Sequence, residues 1–217
     1  MIRLHHVPQA RSFRILWLLE ELGESFEVVP HSFFDKSLRS ADYLALSPAG
    51  RVPALEIDGR VLFESGAIAE YLCETRGRLG RMPGEVERAE WLEWIHFAET
   101  AGQHLANLTQ HHIALREPWM RSPTVMRLEA KRLEKVLAVP DRVLTGHDWL
   151  LPSGFSAADV AMGYSALVGR RFVRLDSLPA LAAWLERIAA RPAFRRALAR
   201  DGVAEIYRQE FYEAPDE

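Results

Sequence analysis

A single cysteine, Cys73, stands among 217 residues. It cannot close an internal disulfide, and its isolation excludes a Cys-x-x-Cys redox pair and a cysteine-caged zinc. An excess of one charge is also missing. The 27 Lys and Arg residues face 30 Asp and Glu residues, a net −3 at pH 7, and no basic block removes that balance locally, so the electrostatic footprint of a nucleic-acid binder is absent. Long apolar runs are lacking too. Ile15 to Leu19 and Val160 to Met162 fall far short of the ~20 residues that cross a bilayer. Met1 to His6 holds no apolar signal core, so the expectation is a cytoplasmic protein without membrane or nucleic-acid partners. What is present is a 48% hydrophobic chain, enough for a packed core and at odds with global disorder.

Ile2 to Val7 is β-compatible and closed by Pro8. Arg11 to Leu22 repeats apolar residues at helical spacings and stops at Gly23, and Phe26 to His31 reads as a second strand. Such a β-α-β opening demands a parallel pair. Ser40 to Leu46 predicts a short helix, Pro53–Asp58 and Arg60–Phe63 flank the hairpin signal Asp58-Gly59, and Ser65 to Thr75 predicts a third helix. Breakers fill 78–85, and beyond them every segment reads as helical: 86–112, 122–144 with Pro140 as a kink or break, 156–169, and 178–200 interrupted at Arg191-Pro192. The expected organisation is therefore a small α/β domain over 1–77, a linker over 78–85 and an all-helical domain over 86–217. Within the latter, Ser156 and Asp159 form a capping box, with Phe155 and Val160 placed to staple it.

Two short stretches carry the chemistry. In Arg51-Val52-Pro53 the proline follows a turn, is a candidate cis bond and leaves the Val52 N–H and C=O free to pair with an extended peptide. In Phe63-Glu64-Ser65-Gly66 a strand hands over to a helix. Ser65 suits the N-cap, the open N–H groups suit a carboxylate, and Glu64 suits an ammonium. Singly, they read first as an ordinary strand entry and an ordinary capped helix. Together they describe a receptor for a zwitterionic peptide.

With these stretches in order, the chain resembles the glutathione S-transferase family over essentially its whole length, and most of all its bacterial, serine-type cytosolic members. The resemblance rests on Arg11 to Gly23, Ser47 to Leu55, Leu62 to Leu72, Phe155 to Val160 and Arg191 to Phe194. It implies a thioredoxin-like N-terminal domain that binds glutathione as co-substrate, an all-helical C-terminal domain forming an electrophile pocket between the domains, and a homodimer. The implied reaction is conjugation of the glutathione thiolate to a hydrophobic electrophile, and a peroxidase activity is compatible with it. The glutathione-binding residues are then Arg51, Val52, Pro53, Glu64 and Ser65, with Arg51 placed for the glycine carboxylate.

The activating group departs from the family pattern. Serine-type members place a hydroxyl four residues before an Arg, and counting back from Arg14 gives Ala10. A thiol near pKa 8.5 must gain about 2.7 kcal/mol of thiolate stabilisation to fall by about two units. Ser12 is the nearest hydroxyl and Arg11 the nearest cation, so these are the catalytic candidates, with Ser12 equally readable as a first-turn helix residue. Cys73, inside the third helix, reads as a packed hydrophobe. His104 and His111 lie about 10 Å apart along a helix, and His5 and His6 face opposite sides of a strand, so no metal is expected. The stretch Ala204–Glu217 is either a lid or surface packing. Ala10 keeps two other readings open, a non-catalytic binder of glutathione or apolar ligands and an interaction module that retains only the fold.

Overall fold

The computed structural model describes residues 1–215. Its β strands all fall early: β1 (Ile2–His6), β2 (Phe26–Pro30), β3 (Ala54–Ile57) and β4 (Arg60–Phe63), interleaved with α1 (Ser12–Leu22), α2 (Ala41–Leu46) and α3 (Ser65–Arg76). The sheet order is β2-β1-β3-β4, with β1 parallel to β2 and antiparallel to β3, and β3 antiparallel to β4. Local chemistry accounts for the joints. Asp58 and Gly59 both take positive φ, 53° and 74°, the twisted two-residue turn that matches a hairpin's own twist. Gly23, at φ 75°, ends α1 with its N–H on Glu20 O and the Glu24 N–H on Leu19 O, so the last carbonyls of the helix are satisfied.

The later segments are helical: α4 (Arg88–Thr109), α5 (Pro123–Leu144), α6 (Ala157–Gly169), α7 (Pro179–Ala190) and α8 (Pro192–Asp201). Pro140 does not break α5, which runs through it; Leu133, Leu137 and Leu144 are buried along the same helix, and that packing outweighs the lost N–H. The end of α4 widens into a π-helical turn over Gln110–Ala114.

The chain divides into two compact units, and neither is continuous in sequence. One joins Met1–Arg88 to Ala190–Ile206; the other joins Ala89–Ala189 to the segment from Tyr207 on. These compact units differ from a single cut at 78–85, and α8 is the reason. Phe194 meets Trp17 edge-on at 4.9 Å between ring centroids and Phe13 at 5.9 Å. Around them, Arg191 grips Glu21 with two bonds of 2.7 and 2.8 Å, while Arg196 and Arg200 each hold Glu20 at 2.8 Å. Burial pushes the Glu20 carboxyl upward, but these two guanidinium groups outweigh it and hold its pKa below the ordinary value.

In the helical unit, Ser156 and Asp159 form the expected capping box. Asp159, fully buried, also accepts the Leu150 N–H at 3.1 Å and the Trp184 indole N–H at 3.1 Å, so it ties α6 to α7 as well as capping α6. Burial raises its pKa to about 6. Phe155 packs edge-on against Trp149 at 5.0 Å. The tail packs rather than hangs free: Tyr207 Oη lies 2.8 Å from Thr109 Oγ1, and Tyr212 stacks on Phe172. Residues 216–217, the end of the expected 204–217 tail, lie outside the described residues. No helix among the described residues is long and apolar enough to cross a membrane.

Replacing Phe194 with Ala removes a ring that is 3% exposed and is expected to cost about 3–5 kcal/mol. Urea unfolding of the parent and F194A chains, followed by tryptophan fluorescence, measures it.

Candidate functional site

Strand register gathers the site. His5 pairs with Ala54, and Ala54 with Phe63. Continuing those ladders by one or two residues brings Val7, Val52-Pro53 and Glu64-Ser65 to one end of the sheet. Val7, Ala10, Val52, Ala54, Leu38 and Tyr43 pack there as one apolar cluster.

The turn into β3 is built to present Val52. Its peptide bond to Pro53 is cis, and neither its N–H nor its C=O bonds another main-chain group among the described residues. The preceding carbonyl is fixed from two sides, because Arg51 O accepts the Tyr43 hydroxyl at 2.7 Å and the Ser47 hydroxyl at 2.8 Å. Burial pushes the Tyr43 phenol up to about 12, so it remains a donor across the neutral range. Gly50 makes the bend at φ 62°, and a Cβ there would lie 2.8 Å from Leu38 O, which leaves room for glycine alone. The Arg51 side chain is exposed.

At the head of α3 the structure amends one detail. Glu64, not Ser65, occupies the N-cap position, with φ 71° and ψ 115° and no side-chain cap bond. Ser65 is the first helical residue, buried, and its Oγ accepts the Arg14 guanidinium at 3.1 Å. The Glu64 carboxylate is exposed beside the first N–H groups of α3, which by helix geometry lack internal acceptors. Arg14, itself 3% exposed, therefore joins α1 to the head of α3 and places positive charge beneath it. Sequence reasoning passed over Arg14, Tyr43 and Ser47. The signal for Arg14 is a cation inside the apolar run from Phe13 to Leu19; nothing local marks the other two.

Ser12 requires the main correction. It is fully buried, with Oγ 2.8 Å from His6 Nδ1, 3.3 Å from the Val7 N–H it accepts and 3.3 Å from Val7 O. On its other side the His6 ring places Nε2 3.0 Å from Asp201 O, an acceptor only, so Nε2 carries hydrogen. The hydroxyl therefore faces inward, held between the His6 ring, the Val7 N–H and Val7 O. Arg11 is half-buried at the N-cap of α1. Ala10 is buried in the apolar cluster and brings no polar side chain. Cys73 is fully buried and burial, aided by Glu74, raises its thiol to about 12, which removes its nucleophilic form.

Four other histidines hold structural contacts. His5 bonds Glu56 through Nε2 and His31 through Nδ1, both at 2.9 Å; His104 bonds the buried Glu129 at 2.7 Å; and His111 Nδ1 accepts the Ser122 N–H at 3.2 Å. Among the described residues no group of three or more His, Cys, Asp or Glu is placed to hold a metal ion.

Comparison with known proteins decides the family. The pattern of the glutathione S-transferase N-terminal domain matches residues 1–74, and that of the C-terminal domain matches 121–192. The chain belongs to the glutathione S-transferase family. Its thioredoxin-like sheet domain and all-helical second domain are those of the family. Glutathione S-transferase 3 of Zea mays is 30% identical over 91% of this chain and 93% of its own length. A glutathione S-transferase from Xylella fastidiosa superposes with a TM-score of 0.82 at 29% identity, covering 94% of this chain and 100% of that one. A glutathione transferase from Burkholderia graminis, solved with two glutathione molecules per subunit, gives 0.82 at 25% identity, covering 91% and 87%.

Burial, then the neighbouring His5, lowers the His31 pKa below its ordinary value, with Asp35 opposing. A histidine depressed in the folded state stabilises above its unfolded pKa of about 6.5 and loses that contribution as pH falls. Replacing His31 with Gln is therefore expected to shift relative stability in the variant's favour between pH 7.5 and 5.5, which urea midpoints at both pH values measure.

Proposed function

We propose that this transferase-family protein binds glutathione at the end of the sheet and conjugates its thiolate to hydrophobic electrophiles. The convergence of an unpaired Val52 main chain with the Glu64-Ser65 head of α3 carries this reading. The Val52 N–H and C=O pair with the cysteinyl unit of the tripeptide. The γ-glutamyl carboxylate meets the open N–H groups of α3 above Arg14, its ammonium meets Glu64, and Arg51 meets the glycine carboxylate.

Held this way, the sulfur points toward the turn before α1. No hydroxyl awaits it, since Ala10 has none and Ser12 is turned inward. Activation falls to Arg11 and to the head of α1, whose helix dipole favours an anion. The thiolate attacks the electrophilic carbon, a C–S bond forms, and the leaving group departs with its electron pair. The same thiolate attacks the terminal oxygen of an organic hydroperoxide, which gives a sulfenic acid and an alkoxide that takes a proton from water to become the alcohol; a second glutathione converts the sulfenic acid to glutathione disulfide and water. The family reading also carries a homodimer and a cytoplasmic role in detoxification. The missing Ala10 hydroxyl favours one alternative, a chain that retains glutathione or an apolar ligand without turnover.

Calorimetric titration with glutathione is expected to release heat in the parent and to show about 10- to 100-fold weaker binding in E64A, the loss of one charge-assisted bond. No heat with the parent would overturn the proposal. In an aryl-halide assay across pH, Arg11→Ala is expected to raise the apparent thiol pKa by about one unit. Ser12→Ala is expected to lower stability by about 1–3 kcal/mol and to leave that pKa in place. Bound glutathione with no turnover on a broad electrophile panel supports the binding-protein alternative.

A further inference from the structure

Asp201, the last residue of α8, sits beneath the turn that leads into α1. Both of its carboxylate oxygens lie 3.2 Å from the main-chain N–H of Gln9. Its Oδ1 also lies 3.2 Å from His6 Nε2, which reaches the Asp201 carbonyl at 3.0 Å. The other side of the turn is held as well, since Gln9 Oε1 accepts the Ile206 N–H at 3.2 Å. Gly202 closes on Pro8 so tightly that a Cβ would lie 3.0 Å from Pro8 Cγ. Residues 8 and 9 are thus fixed by a segment nearly two hundred positions away in sequence.

That grip matters because of the backbone it holds. Gln9 adopts φ 62°, a left-handed conformation that a side chain disfavours. With Gln9 so placed, the Ala10 N–H turns back to Val7 O at 3.1 Å and the Phe13 N–H closes on Ala10 O at 2.9 Å, which sets where Arg11 and the first turn of α1 begin. In a site that offers the sulfur no hydroxyl, the aim of those groups is the remaining determinant of thiolate formation.

We infer that Asp201 is the positioning residue for thiol activation: its carboxylate holds Gln9 in the left-handed state, so that Arg11 and the head of α1 face the glutathione sulfur. The inference rests on the glutathione reading and adds to it a residue from the far end of the chain. It also makes a prediction of sign. A carboxylate acting on the thiol by charge alone opposes thiolate formation, so its removal would lower the thiol pKa. A carboxylate acting by position favours the thiolate, so its removal raises the pKa.

The test follows the thiolate absorbance of bound glutathione across pH in the full-length parent, Asp201→Ala and Asp201→Asn proteins, with glutathione affinity measured by calorimetry. For D201A the expected result is a bound-thiol pKa higher by about one unit and turnover at pH 6.5 lower by about tenfold, with glutathione affinity within about threefold of the parent. D201N, which keeps one oxygen to accept the Gln9 N–H, is expected to fall between the two. A bound-thiol pKa that is unchanged or lowered in folded D201A overturns the inference. If D201A does not fold, D201N decides by the same criterion, a raised value supporting and an unchanged or lowered value overturning. A parent that binds no glutathione overturns the glutathione reading itself, and this inference with it.

Discussion

The ladder joining β1, β3 and β4 constrains everything at the sheet's end. Once His5 stands opposite Ala54 and Ala54 opposite Phe63, three pieces of chain distant in sequence must finish side by side: the exit from β1, the entry to β3 and the exit from β4. Because side chains alternate faces, a slip of one residue in either pairing would reverse which groups reach the core. It would also part Val52 from the head of α3. The apolar cluster of Val7, Ala10, Tyr43 and Val52 holds that register, so burial and the placement of Val52 beside the head of α3 are served by the same contacts.

A second layer of order comes from polar groups that bond to one another inside the protein. Ser12, His6 and Asp201 form a continuous run of hydrogen bonds from the first turn of α1 to the end of α8. The residue types invite comparison with a hydrolytic triad, but the serine is sealed and its hydroxyl also engages Val7. Arg14 is built on the same logic, a buried cation whose partner is the Ser65 hydroxyl at the head of a neighbouring helix.

Features set by nearby residues were legible in the sequence. Asp58-Gly59 dictates its own turn, Gly23 its own helix end, and Ser156 with Asp159 its own cap; the strand and helix order of the first 77 residues follows from short-range periodicity. The Val52-Pro53 turn and the Glu64 corner were legible as local shapes, although their adjacency needed the sheet. What escaped depended on tertiary partners. Ser12 reads as an accessible hydroxyl until His6 and Val7 enclose it. Arg191 to Asp201 reads as one more helix of the second domain until Phe194 is set against Trp17. Pro140 reads as a break until the burial of its helix is known. The roles of Tyr43 and Ser47 lie in a carbonyl eight and four residues ahead, with no pattern in the sequence to announce them.

The split composition of the sheet-bearing unit has a consequence for biosynthesis. Residues 1–88 leave the ribosome with the Trp17 and Phe13 face of α1 uncovered, and the helix that covers it begins only after residue 190. At about 5–20 residues per second, translation of the intervening stretch imposes a delay on the order of 5–20 s. During that interval the nascent chain carries an aromatic surface with no native cover, the kind of exposed apolar face that makes an incomplete chain prone to aggregate. A message truncated before α8 would yield a sheet with its strands complete and its hydrophobic closure missing.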